Sequence, residues 1–144
     1  MERVDYVDTF IAVAEDAVST SGSVPPKNAD APSVAWRMFE MISEHPYRHT
    51  SCDVIFEVFA DRLGIPEERR ELARAEFYSR GRACLRSSEL AKRYGWGIHA
   101  DGEGRVGLVG VETAEYAVFA SGRDPRSGRP VKVLRAMRSS RAPR

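Results

Sequence analysis

The chain has too little cysteine for a disulfide framework and no apolar run long enough to cross a membrane. Its two cysteines, Cys52 and Cys84, read as a pair of reduced thiols rather than a staple. No segment approaches the roughly 18 consecutive apolar residues that a membrane span needs. The opening Met1-Glu2-Arg3-Val4-Asp5 has neither the basic start nor the apolar centre of a secretory signal, so the cytoplasm is the expected compartment. A phosphate-cradling glycine loop, a nucleophile elbow and an internal repeat are all missing from the sequence. Charge of one sign is missing too. Twenty-two lysines and arginines against 21 acids leave a net charge of +1, with no overall pull toward nucleic acid, membrane or acidic substrates. What remains is an ordinary globular composition, 42% hydrophobic and 30% charged over 144 residues. That is one domain's worth of chain, able to bury a core unaided.

The near-neutral total hides an asymmetry. Residues 122–144 carry eight cations against the single acid Asp124, or +7, and residues 1–121 carry 14 against 20, or −6. Cations recur at every third position from Arg123 to Arg144. Such a stretch can contact phosphates, but it has no aromatic residue for stacking and the body it is attached to is acidic. A neutralising arm laid on that body, or a solubilising end fraying from Ser139, accounts for it more simply.

Along the chain, Asp8–Ala14 reads as a strand inside a sheet, with Phe10, Ala12 and Ala14 on one side and Thr9, Ile11 and Val13 on the other. Ser19–Pro32 has loop composition. Ser33 caps a helix through Glu44 whose buried face is Ala35, Met38, Phe39 and Ile42, widened by Val34 and Met41. Pro46 ends it. Thr50 or Ser51 caps a second helix with Val54, Ile55, Val58, Phe59 and Leu63 inward, stopped by Gly64. A third starts at Pro66 and turns Leu72, Ala73, Phe77 and Tyr78 inward. Beyond Gly81, Ala83–Arg86 reads as extended, and Ser87 or Ser88 caps a brief helix. Trp96–Ala100 and Arg105–Val111 form a hairpin about Asp101-Gly102-Glu103-Gly104. A short helix at Glu112–Ser121 carries Tyr116 and Phe119, a loop covers Arg123–Pro130, and Val131–Leu134 is a last strand. The expected architecture is α+β. It is a single domain over residues 1–138 with a basic tail at 139–144. A small, mainly antiparallel sheet with a hairpin in the C-terminal half packs against three to five helices.

Four stretches carry a resemblance: VDTFI at Val7–Ile11, PYRHTSCDVIFEVFADRLGIP at Pro46–Pro66, SRGRACLRSSELAKRYGWGIHADGEGRVGLVGVE at Ser79–Glu112, and LRAMRSSR at Leu134–Arg141. In this order they resemble an uncharacterised bacterial family, domain-of-unknown-function family 6157. The resemblance covers most of the chain and implies no activity.

Function therefore has to be sought in the residues. Arg82, Arg86, Ser87, Ser88, Lys92, Arg93, Tyr94 and Trp96 combine a helix start, four cations and two flat rings, the parts that an anion with an attached ring requires. Against that stands a plain cap with solvated bases and a tryptophan in the core. Cys84 and His99 could form a nucleophile and base, although Ala83-Cys84-Leu85 reads as an interior strand and one of Ile98 and His99 should face out. His45, His49 and Cys52 are split by Pro46 and do not read as a metal site; no metal and no cofactor is expected. Asp53, Glu57 and Asp61 fall at i, i+4 and i+8 as a solvated acidic stripe. The leading expectation is a cytosolic binding or interaction domain taking a small anionic ligand or a protein partner at Arg82–Trp96. An enzyme using Cys84 and His99 on a small anionic molecule is the alternative. Nucleic-acid contact through the tail ranks below both.

Overall fold

The computed structural model describes residues 5–28 and 31–139. The expected fraying end at 139–144 therefore lies outside the described residues apart from Ser139. Strand β1 (Thr9–Ala12) is followed by helices α1 (Val34–Glu44), α2 (Ser51–Leu63) and α3 (Arg70–Phe77), then by the single-turn α4 (Glu89–Lys92). The hairpin β2 (Trp96–Ala100) and β3 (Val106–Gly110), helix α5 (Ala114–Ala120) and β4 (Lys132–Arg135) complete the order. The sheet runs β3-β2-β1-β4. It is antiparallel except where β4 pairs parallel to β1, with Phe10 opposite Val133 and Ile11 opposite Leu134. The fold is α+β with a mixed sheet.

Helix starts are fixed by side chains. Ser33 Oγ accepts from the Trp36 N–H at 3.1 Å, satisfying one of the donors that a helix start leaves open. Thr50 and Asp53 form a reciprocal capping box, Asp53 N–H to Thr50 Oγ1 at 3.2 Å and Thr50 N–H to Asp53 Oδ2 at 2.9 Å. Gly64 takes the left-handed conformation (φ 67°) that ends α2.

All four residues of β1 are buried. Ile11 joins Met38, Ile42, Val54, Val58, Leu85, Leu90 and Ile98 beneath α1, α2 and α4. On the other face, Phe10 packs with Ala12, Val109 and Phe119 under α5. The Phe10 ring is stacked on Phe119 (4.9 Å between centroids) and meets Tyr116 edge-on at 5.2 Å. Its ring occupies the space where a side chain at position 97 would stand, and a Cβ there would also lie 2.9 Å from Tyr116. Ala14 lies past the strand and belongs with Ile11, not with Phe10.

Four sequence-based expectations change. Leu63 and Leu72 are not core residues but 65% and 80% exposed. Phe56 takes their place, buried with Ala60 and Phe77 in a third cluster between α2 and α3. Helix α2 is thus covered on two sides, which a single-stripe reading misses. Ala83–Arg86 is not extended throughout: Cys84 keeps an extended backbone, and Leu85 opens a 3-10 turn, Leu85–Ser87. There Ser87 Oγ donates to the Cys84 carbonyl (2.8 Å), a local bond that competes with a strand ladder. Finally, neither Ile98 nor His99 faces out, because α5 and the loop after it cover the second face of the sheet. Urea denaturation will separate these placements: Phe56→Ala should cost about 3–5 kcal/mol, and Leu72→Ser should stay within about 0.5 kcal/mol of the parent.

Candidate functional site

The residues of the Arg82–Trp96 segment are engaged in different directions. Ser88 Oγ caps α4 through the Leu90 N–H at 3.2 Å. Lys92 and Arg93 both turn to Glu89, at 3.7 and 2.7 Å. Arg86 donates from Nε to the Arg135 carbonyl of β4 at 2.7 Å. Tyr94 receives the Ser23 N–H on its carbonyl at 2.9 Å, and Trp96 donates its indole N–H to the Ser23 carbonyl at 2.8 Å. Trp96 also lies against Phe39, with centroids 5.5 Å apart. The hairpin closes the sheet and pins the Ser21–Ser23 loop, leaving only a cavity of about 210 Å³ at its edge.

Arg82 differs from the rest. Its guanidinium carbon lies over the Phe77 ring, 3.9 Å from the centroid, and 5.9 Å from that of Phe59. Its Nε–H donates to the Phe77 carbonyl at 2.8 Å. Stacking and one hydrogen bond hold the fork in place while its two terminal nitrogens stay open, the arrangement in which arginine binds carboxylate or phosphate. Arg80 and Arg82 line a cavity of about 330 Å³ together with Phe59, Leu63, Ile65, Ala73, Phe77 and one carboxylate, Glu76. No carboxylate among the described residues lies within ion-pair distance of Arg80 or Arg82. Arg80 went unremarked in the sequence, and Phe59 and Phe77 were read there as core residues, not as the wall of a site. The spacing Phe77…Arg80-x-Arg82 just past a helix end was the available signal.

A larger cleft lies elsewhere, between α1 and α2, with about 550 Å³ of space. Glu40, Glu44, Asp53, Glu57 and Asp61 line it with His45, His49 and Trp36. Much of its charge is already spent. Arg70 pairs with Glu57 (2.5 Å) and Asp61 (3.0 Å), and Arg74 with Asp53 (2.8 Å). Burial alone would raise the Asp53 pKa; the Thr50 N–H and the Arg74 guanidinium outweigh it and hold the carboxyl below its usual value. The acidic stripe read from the sequence is thus a seam joining α2 to α3.

Cys84 and His99 do not meet. Cys84 borders a small cavity with Val34, Ala35, Met38 and Ile55 on the α1–α2 side of the sheet, where its Sγ accepts from the Tyr6 hydroxyl at 3.1 Å. Burial and this bond push the Tyr6 phenol up to about 12. His99 lies on the α5 side against Phe119, at 0% exposure. Its Nδ1 is 3.0 Å from the Tyr47 hydroxyl, and its Nε2 is 3.7 Å from Asp124 Oδ2, too far for a hydrogen bond. Tyr47 holds a left-handed backbone (φ 59°), with its ring over Gly107 at a separation (2.6 Å from an ideal Cβ) that only glycine permits. Arg126 covers it, 4.0 Å from the ring centroid. Burial raises the Tyr47 pKa, so the phenol stays protonated where it meets Nδ1. Burial also lowers the His99 pKa, against the opposing pull of Asp124, so the ring is neutral near pH 7.

The model of a family of unknown function, DUF6157, matches residues 1–142. The chain belongs to that family. No curated protein and no solved structure is significantly similar to it. Family membership accounts for the order of segments from β1 to the basic end and brings no activity with it. Among the described residues no group of three His, Cys, Asp or Glu side chains is placed to hold a metal ion, and no helix is long and apolar enough to cross a membrane.

Two measurements follow from this geometry. The unfolded chain takes up a proton at His99 near pH 6.5 while the folded one resists it. Stability is therefore complete above about pH 6.5 and falls as pH drops through the lower, folded value. The urea midpoint of the parent should drop between about pH 7.5 and 5.5, and His99→Gln should flatten that dependence. His49, also lowered by burial, is the control, since His49→Gln will leave the His99 contribution in place. Second, the alkylation rate of Cys84 by iodoacetamide should be the same in folded His99→Gln as in the parent.

Proposed function

We propose that the protein is a small bacterial cytosolic binding domain whose ligand joins an apolar group to an anionic end, and that Arg82 is the anchor of its site. The carrying observation is the Arg82 guanidinium, fixed over Phe77 by a 3.9 Å stack and a 2.8 Å hydrogen bond, with no acid of its own. An arginine already ordered loses little further freedom on binding. Its aromatic underlay and the apolar floor of Phe59, Leu63 and Ile65 match the non-ionic part of such a ligand. Arg80 adds a second positive charge to the lining, against the single carboxylate of Glu76. Relative to the Arg82–Trp96 expectation, the ligand's anionic group stays with Arg82, while the apolar wall becomes Phe59 and Phe77.

Less supports the other readings. An enzyme built on Cys84 and His99 would have to act across the sheet. Nucleic-acid contact would draw on cations already bonded into the chain: Arg123 Nη1 donates to Gly128 O at 2.6 Å, Arg126 caps Tyr47, and Arg138 pairs with Glu15 at 3.3 Å. Cys52 and Cys84, both thiols rather than halves of a disulfide, support a reducing compartment.

The test compares phenylbutyrate with phenylbutylamine by isothermal titration calorimetry and thermal shift. The acid should bind and raise the melting temperature, the amine should not, and Arg82→Gln should weaken the acid at least about tenfold, or 1.4 kcal/mol. No binding of phenylbutyrate at millimolar concentration, or equal binding by Arg82→Gln, sinks the proposal.

A further inference from the structure

The Arg82 cavity does not end at Phe77. Leu63, Ile65, Ala73 and Glu76 line both it and a second hollow of about 450 Å³, which continues past Pro66 and Arg69 to Leu72. The two share a wall and form one trough along α3, a helix of eight residues or about 12 Å. Leu63 and Leu72 stand 65% and 80% exposed on it. Both are large aliphatic side chains that the fold itself does not use. A single small carboxylate would fill one end and leave the other open.

The charges along the trough are ordered. Arg69 stands at one end, Arg80 and Arg82 at the other, and Glu76 between them. No carboxylate among the described residues is within ion-pair distance of Arg69, Arg80 or Arg82. An occupant therefore needs acids at its two ends and none in the middle, where Glu76 repels them, with apolar side chains entering the two hollows. A helical segment with two apolar residues one turn apart and acidic residues flanking them has this pattern. We infer that the trough docks an acidic, amphipathic helical segment of a partner protein. This inference rests on the Arg82 site and extends it: Arg82 receives one terminal carboxylate of the segment, and the hollow at Leu72 takes the second apolar anchor.

The probe is a fluorescein-labelled helical peptide with two leucines four apart, flanked by glutamates, titrated into the full-length chain and followed by anisotropy. A lysine-flanked peptide of the same core is its counterpart. Tight binding of the glutamate peptide, at least about tenfold weaker for the lysine peptide and for Leu72→Asp, Arg69→Gln and Arg82→Gln, is the expected result. Leu72→Asp should keep the parent's circular dichroism and its affinity for phenylbutyrate, because Leu72 lies outside the Arg82 cavity. Loss of the peptide with retention of phenylbutyrate thus locates the second anchor. Equal binding by Leu72→Asp, preference for the lysine peptide, or no peptide binding beside intact phenylbutyrate binding overturns the docking inference and leaves the Arg82 site standing. Failure of phenylbutyrate as well removes both. Sedimentation that shows a dimer dissociated by Leu72→Asp also overturns it, by assigning the trough to a second copy.

Discussion

A strand with Phe10 on one face and Ile11 on the other has to be covered twice, and the arrangement of the molecule follows from that requirement. Helices α1, α2 and α4 supply one cover and α5 the other. Burying a large apolar side chain is worth roughly 1.5–3 kcal/mol, so neither face can be left to water in a domain of this size. The second cover is thin, a seven-residue helix and the loop beyond it. It closes only because Gly97 leaves room for the Phe10 ring and because polar groups fill the space at its margin. Tyr47, His99, Asp124 and Arg126 form that margin. Tyr47 tolerates an unfavourable backbone, and His99 tolerates an unbonded Nε2, where the sheet edge, the loop and the helix meet.

Much of this was legible in the residues. Ser33, Thr50 and Gly64 marked helix ends through chemistry that acts within four positions, and local chemistry survives folding unchanged. The hairpin and β4 were legible for the same reason, to within a residue. The errors share a cause. Leu63 and Leu72 were placed inward, Phe56 was passed over, and one of Ile98 and His99 was placed outward, all by periodicity, which says that residues share a face but not which neighbour covers it. Helix α2 has neighbours on two sides and β2 has covers on both, so Phe56 and His99 are buried where a one-sided pattern exposes them. The candidate site was the least legible part. Its cations were visible as a local group, but whether a given arginine is free depends on carboxylates and carbonyls distant in sequence. Glu89 takes Lys92 and Arg93, the Arg135 carbonyl turns Arg86 toward β4, and Arg82 alone of the segment's cations lies over aromatic rings among the described residues.

Helix α2 divides the surface chemically. Toward α1 it presents carboxylates, and toward α3 it presents phenylalanines and ends among arginines. Arg70 and Arg74 cross between the two, their charge-assisted bonds to Glu57, Asp61 and Asp53 tying α3 to a helix it otherwise touches through Phe56, Phe59 and Phe77. Exposed single ion pairs contribute little, but Arg70 is mostly buried and shared between two acids. The consequence is that three carboxylates of the acidic cleft are paired within the fold, while Arg80 and Arg82 at the far end of α3 have no ion-pair partner among the described residues.

The parallel pairing of β1 with β4 has a consequence during synthesis. β1 leaves the ribosome roughly 120 residues before its second neighbour. At about 5–20 residues per second, that is an interval on the order of ten seconds. Throughout it the strand Thr-Phe-Ile-Ala has at most one partner, and its other edge stays unsaturated beside the Phe10 and Ile11 side chains. The nascent chain thus carries an apolar strand long before the element that completes its pairing. A holdase that binds short apolar strands would find its substrate here before the fold can close.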